Sequence, residues 1–346
     1  MTGPVAGAGS PVPAGGGCPG TSIGTSPSAP PDGRVVAAID CGTNSLRLLI
    51  SRVVGGPPEH GGRLAELYRG SRVVRLGQGV DRTGLLAPAA IERTRVGLAD
   101  YAELIAEHRV DQVRMVATSA ARDAGNADQF QAMVAQTLGV VPEVITGTEE
   151  AELSFAGAVA GLAPMPDPVL VADIGGGSTE LVLGSCATGQ ITSAHSMNVG
   201  CVRLTERHLH SDPPAPEQIL AAAADLTAAL TEAGRSVALT DAACLVGVAG
   251  TVTTLAAIGL RLPEYDPLTV HGARLSYEQV RRISEELLAM TTAERVDIPV
   301  MDAGRADVIA AGALVATTIM EYAGLGEVIV SEHDILDGLV MSIASA

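Results

Sequence analysis

Two short segments 133 residues apart carry the same chemistry-bearing pattern. Asp40-Cys-Gly-Thr-Asn-Ser-Leu-Arg-Leu-Leu-Ile50 and Asp173-Ile-Gly-Gly-Gly-Ser-Thr-Glu-Leu-Val-Leu183 both read D-x-G-x-x-S-x-x-L. Each follows a short apolar run, Val35–Ile39 or Val169–Ala172. The pattern predicts a buried strand, a Gly-rich turn with an acid and a hydroxyl, and a second strand. Such a turn lies between strands, so it is neither a P-loop nor a dinucleotide-binding turn, both of which open a helix. Gly175, Gly176 and Gly177 let successive backbone N–H groups converge on an anion with no Cβ in the way, and Ser178 adds a hydroxyl donor. Asn44 and Ser45 occupy the corresponding turn of the first segment.

A carboxylate beside a phosphate cradle repels its ligand unless a divalent cation lies between them. Asp40 and Asp173 are therefore candidate metal ligands; the alternative is that each fixes its turn by accepting backbone N–H bonds. Glu180 shares the strand face of Ser178 and either joins that metal shell or is a solvated strand charge. Arg122, in Thr118-Ser-Ala-Ala-Arg122 after an apolar strand, suits bidentate contact with a phosphate, or pairs at the surface with Asp123 or Asp128. Gly250 and Thr251 occupy the matching place in the second half, at an expected helix start whose amides favour an anion. Glu149 and Glu150 open another helix; the helix dipole favours both there, and one of them facing a cleft could orient or deprotonate an attacking water.

The elements that must position these groups repeat in order. Met115–Ser119 matches Gly247–Thr251, and Glu143–Ile145 matches Glu327–Ile329, so three matched elements recur in sequence, as duplication requires. Strands are expected near 35–41, 45–54, 63–76, 112–117 and 143–146, with helices near 88–108, 127–138 and 148–161. The Ala163–Pro168 stretch marks a boundary. Beyond it, strands are expected near 169–174, 179–185, 190–199, 244–248 and 327–331. Helices are expected near 217–233, 251–260, 277–290, 304–323 and 334–344. Strand hairpins followed by alternating helices and strands indicate an α/β fold with a mixed sheet, made twice.

Composition narrows the functions. Of 346 residues none is Trp and only two are Phe, which gives base stacking little to stand on, and the net charge of −17 argues against nonspecific nucleic-acid or anionic-membrane binding. Residues 35–147 balance 12 Arg against 12 acids, whereas residues 148–346 hold 9 Arg against 26 acids. If the ligand is a polyanion, the first half should grip it; otherwise the acids form a solubilising surface. All 22 basic residues are Arg, so chemistry that needs an amine is excluded. The five cysteines are widely spaced with no CxxC, which fits a reducing cytoplasm and neither a disulfide framework nor a zinc site. Residues 1–33, rich in Gly, Pro, Ser and Ala, are expected to form a disordered tail without signal-peptide character, and no apolar run is long enough to span a bilayer.

These motifs resemble the Ppx/GppA family of exopolyphosphatases and guanosine pentaphosphate phosphohydrolases, within the superfamily of actin, the heat-shock chaperones and the sugar kinases. The resemblance rests on Asp40–Ser45, Ala117–Arg122, Gly147–Ala151, Asp173–Glu180, Gly200–Thr205 and Ala249–Thr251, and is strongest to short actinobacterial exopolyphosphatases. It implies two duplicated actin-like (ribonuclease H-like) domains, 34–162 and 163–346, around a cleft, with the final helix (about 334–346) returning to the first. It implies Glu150 as catalytic base and Asp173 in metal binding and catalysis, with Glu180 nearby. Asn44, Ser45, Arg122 and the Gly175–Ser178 turn would surround the terminal phosphates. Where the family is expected to read Glu-Gly at its last helix, this chain has Asp337-Gly338. The implied activity is Mg²⁺- or Mn²⁺-dependent hydrolysis of the terminal phosphate of inorganic polyphosphate, short chains being favoured because the chain ends at 346. Hydrolysis of guanosine pentaphosphate at the same site is the close rival; a kinase and a noncatalytic sensor are more distant ones. A homodimer is compatible with the family and undecided by composition.

Overall fold

The computed structural model describes residues 33–56 and 62–345. The expectation for the tail, apart from Gly33, falls outside the described residues. Eleven strands occur among them: β1 (Val35–Cys41), β2 (Ser45–Val54), β3 (Arg63–Val73), β4 (Gln112–Ala117), β5 (Glu143–Val144), β6 (Val169–Ile174), β7 (Thr179–Gly184), β8 (Ile191–Met197), β9 (Cys244–Val248), β10 (Arg274–Ser276) and β11 (Glu327–Val330). They form two sheets, in the orders β3-β2-β1-β4-β5 and β8-β7-β6-β9-β11-β10. The first three strands of each sheet form antiparallel hairpins, and the next two join in parallel. The second sheet thus repeats the first and adds β10 at its edge. The duplication read from the motifs is a duplication of topology.

Alternation along the strands decides what covers each face. In β1, Ala37, Ile39 and Cys41 pack with Leu98 and Tyr101 of the helix Pro88–Glu107 and with Phe130 and Val134 of the helix Ala127–Leu138. Val36 and Ala38, on the opposite face, pack with Ile335, Leu336, Leu339, Val340 and Ile343 of the final helix, Ile335–Ala344. Burial of each of those five side chains is worth about 1.5–3 kcal/mol, enough to hold the helix to the first sheet. In β6, Leu170, Ala172 and Ile174 face the helices Pro216–Ala233, Ala249–Gly259, Tyr277–Ala289 and Ile309–Ala323. Val169 and Val171 face Ala151, Phe155 and Ala158 of the helix Gly147–Val159.

The last helix of each half therefore lies between the sheets, and the two helices touch through glycine. A Cβ on Gly157 would overlap the Asp334 carbonyl, and one on Gly338 would overlap that of Leu153, so both crossings need hydrogen at those positions. Three local expectations shift. Strand β3 stops at Val73, because Arg75 takes a left-handed φ of 51°. The helix expected from 304 begins at Ile309, leaving residues 302–308 as a turn. A short helix, Cys201–His208, was not anticipated. No helix of the described residues is long and apolar enough to cross a membrane.

Candidate active site

The ends of β1, β4, β6 and β9 converge on a cleft open to solvent and lined by both Gly-rich turns. The turns touch rather than face each other at a distance. Gly176 lies against Thr43, where an added Cβ would come within 3.1 Å of the Thr43 Cβ. Behind it, a Cβ on Gly177 would overlap the Thr43 hydroxyl and meet that of Ser119, two groups bonded to each other at 2.8 Å. The first turn is closed by Gly42 N–H donating to Ser45 O at 2.9 Å, the second by Gly175 N–H donating to Ser178 O at 3.1 Å. The carbonyls of Gly175 and Gly176 accept from the first amides of the helix Cys201–His208. Among the described residues, the Gly176 and Gly177 amides donate to no protein acceptor. They are the kind of successive free N–H groups that bind an anion.

The duplicated hairpins differ at one decisive position. On β1 and β2, Asp40 stands opposite Arg47; on β6 and β7, Asp173 stands opposite Glu180. Arg47 donates to Asp40 Oδ2 at 3.0 and 2.6 Å and also to Asp334, the capping residue of the final helix. Asp40 Oδ1 remains buried without a partner, the one such side-chain atom among the described residues. Burial raises the Asp40 pKa, and Arg47 holds it down. Asp173 accepts from Ser154 Oγ at 2.6 Å, and burial pushes it up to about 6 despite that bond and Arg47. Glu180 is held by Ser196 Oγ at 2.7 Å, and its pKa is pushed well up by burial, then by Glu150 and Asp173.

Glu149 and Glu150 part company. Glu149 is spent on a capping box: its carboxylate accepts from Thr146 N at 2.8 Å, while its own amide donates to Thr146 Oγ1. Glu150, one residue on, is buried and lines the cleft. Burial pushes its pKa to about 7; Arg122, donating to Oε2 at 3.1 Å, opposes that, while Asp173 and Asp40 add to it. A carboxylate so tuned is matched to accept a proton near neutrality.

Of the residues singled out in the sequence, Asp40, Asn44, Ser45, Glu150, Asp173, Gly175, Gly176, Ser178, Gly250 and Thr251 line the cleft. Arg122, Gly177 and Glu180 stand behind it. Arg122 is tied to Glu150 and to the Ile145 carbonyl, at 3.0 Å, rather than to Asp123 or Asp128. Sequence reasoning missed Arg47 and Arg305. Arg47 was legible: it occupies the position of Glu180 when the two motifs are aligned. Arg305 lines the cleft above Gly250, donates to the Gly250 carbonyl at 3.1 Å and has no carboxylate partner among the described residues. It sits where a continuous helix was expected, so nothing in the periodicity singled it out.

Among the described residues no three His, Cys, Asp or Glu side chains converge as a ready-made metal cage. A hard cation such as Mg²⁺ needs less, since it binds through one or two carboxylates together with water and substrate phosphates. The Asp40 Oδ1 left orphaned although Arg47 pairs with Oδ2, and the buried Asp173, which has no ion-pair partner among the described residues, fit that mode.

Comparison with known proteins agrees with the geometry. The model of the Ppx/GppA phosphatase family matches residues 52–346. Exopolyphosphatase 2 of Mycobacterium tuberculosis is 49% identical over 318 residues, covering 89% of this chain and 98% of that one. The crystal structure of an Aquifex aeolicus Ppx/GppA family member is 32% identical with a TM-score of 0.72, covering 90% of this chain and 97% of that one. An exopolyphosphatase from Cytophaga hutchinsonii superposes with a TM-score of 0.82 at 26% identity, covering 90% and 98%. With its duplicated α/β sheets and its cleft motifs in place, the chain belongs to the Ppx/GppA phosphatase family.

Proposed function

We propose that the protein is an exopolyphosphatase that hydrolyses the terminal phosphoanhydride of inorganic polyphosphate, in the cleft between a first domain (34–162) and a second (163–346). The observation that carries this reading is Glu150, a buried carboxylate with its pKa pushed to about 7, facing a cleft walled by two Gly-rich turns. The free amide of Gly176, the Ser178 hydroxyl and the amides opening the helix at Gly250 and Thr251 bind the phosphate oxygens. Arg305 adds the positive charge those amides lack. Asn44 and Ser45 hold the phosphate from the first turn, and Asp40 and Asp173 would hold Mg²⁺ (or Mn²⁺), with Glu180 supporting from behind. The cation, when bound, neutralises charge on the phosphoryl oxygens.

Glu150 orients the attacking water and takes its proton as the water oxygen bonds to the terminal phosphorus. The bridging P–O bond breaks, releasing orthophosphate and a chain one unit shorter. Arg122 keeps Glu150 ionised enough to act. The relative from M. tuberculosis bears the name of this activity. Among the described residues no aromatic side chain lines the cleft, which favours polyphosphate over a guanine nucleotide.

Purified protein supplied with Mg²⁺ should release phosphate from short polyphosphate, and Glu150→Gln should lower kcat by a factor of about 10² or more while substrate binding persists. Retention of most of the rate by that variant would remove Glu150 from the role of base. Preference for guanosine pentaphosphate over polyphosphate in a direct competition would replace the substrate.

A further inference from the structure

We propose that Arg75 is a positioning residue: it clasps the turn 302–308 of the second half and so presents Arg305 to the phosphate chain. The inference rests on the polyphosphate-hydrolase reading for its substrate, and its geometry stands on the structure alone. The Val74 and Arg75 amides both donate to Asn44 O, at 2.9 and 2.8 Å, so this segment rides on the first Gly-rich turn. Arg75 holds a left-handed backbone, φ 51°, a conformation that L residues keep only where the surroundings enforce it. Its guanidinium crosses to the second half and grips Asp307 through two bonds, Nη1–Oδ2 at 2.7 Å and Nη2–Oδ1 at 2.9 Å. Gly304 seats against Val73, where a Cβ would lie 2.7 Å from Cγ2.

Arg305 lies between those two anchor points. The turn that carries it is stiff: Gly304 N–H donates to Asp302 Oδ1 at 2.7 Å, Arg305 N–H to Asp302 O at 2.8 Å, and Ile309 N–H to Arg305 O at 2.9 Å. Moving Gly304 and Asp307 therefore moves Arg305. One residue thus links the first phosphate-binding turn, through its amide, to the cleft-lining Arg305 of the second half, through its side chain. The ion pair itself is about one-third exposed on each partner (33% and 35%) and contributes little to global stability. Its effect is on where Arg305 stands, and a sub-ångström misplacement of a charged phosphate ligand is costly.

The test uses the full chain, with Arg75→Met, Asp307→Asn and the conservative Arg75→Lys, each also made in an Arg305→Ala background. With short polyphosphate, Arg75→Met should raise KM roughly tenfold with a smaller effect on kcat and an unchanged Tm, as loss of positioning rather than folding requires. Arg75→Lys should recover part of the loss. In the Arg305→Ala background, Arg75→Met should cost nothing further, because the two act through one guanidinium. Additive losses, or an unchanged KM in Arg75→Met, overturn the proposal. Hydrogen exchange without substrate supplies an arm independent of activity. Arg75→Met should speed exchange at the Arg305, Val308 and Ile309 amides, and unchanged exchange there overturns the clasp even if the enzyme proves active. If the wild-type protein hydrolyses no polyphosphate, the functional reading falls and the exchange measurement alone decides the clasp.

Discussion

Glu149 and Glu150 occupy one helical turn and have opposite electrostatic fates, which shows how finely the site depends on single residues. Hydrogen bonds to the Thr146 backbone and hydroxyl hold the exposed Glu149 carboxyl below its usual range, whereas burial lifts that of Glu150 to about 7. A base works only when ionised, so kcat/KM should rise with pH along a limb centred near 7. Arg122 is the main group holding that value down. Arg122→Met should therefore move the limb to higher pH. Measuring kcat/KM from pH 5 to 9 for the wild type and this variant tests the assignment. A limb that stays in place or moves to lower pH would show that Glu150 is not the group being titrated.

At the scale of elements, the two hairpins show what duplication keeps and what it changes. Both keep an acid at the strand end and a Gly-rich turn, but Arg47 neutralises the first acid while Glu180 faces the second. The turns meet at Gly177, whose hydrogen is the only substituent that fits against Thr43 and Ser119. Gly177→Ala should push the turns apart and lower kcat/KM by roughly 10²-fold, while melting within a few degrees of wild type, because the contact closes the cleft rather than the core. A variant with wild-type kinetics would show that the turns need not touch for catalysis. The repeat was legible in the sequence because strand alternation and turn chemistry are local, and each acid sits at a fixed distance from its glycines. So was Glu150, through its family motif and the first-turn position it shares with Glu149. Less legible was whatever depends on packing between distant segments. Arg305 hides in a stretch whose apolar residues continue into a helix, and the helix Cys201–His208 is held by carbonyls of a turn some 25 residues earlier. For Arg122 the sequence leaves phosphate contact and surface pairing both open, and its bond to Glu150 comes from packing that no local pattern shows.

Across the whole molecule, the surplus of acids in the second half is partly consumed internally. Arg47, Arg69 and Arg75 of the first half pair with Asp334, Asp337 and Asp307 of the second, while Arg203 and Arg207 of the second pair with Asp81 of the first. Several of the arginines expected to grip a polyanion are therefore joining the halves, and Asp337, the departure from the expected Glu, is one of their partners. What remains in and behind the cleft is a set of buried carboxyls with raised pKa values: Glu150 to about 7, Asp173 to about 6, and Asp40 and, behind it, Glu180 in the same direction. Each takes up a proton in the folded state at a pH where the unfolded chain, with carboxyls near 4, does not. Their contribution to stability is thus fully present below about pH 4 and is lost as pH rises through 6 to 7. The metal-free protein should consequently lose stability between pH 5 and pH 8, by an amount on the order of 3 kcal/mol for Glu150 alone if it titrates independently. Glu150→Gln should flatten that slope. Mg²⁺ added at pH 8 should restore Tm in the wild type if the cleft carboxylates bind it, since a ligand that binds only the folded state stabilises by mass action. Thermal melts across that pH range, with EDTA and with millimolar Mg²⁺, decide the point. A pH-independent Tm in EDTA would mean that these carboxyls are not held protonated, and a Tm indifferent to Mg²⁺ at pH 8 would mean that the apo cleft binds the cation only together with its phosphate substrate.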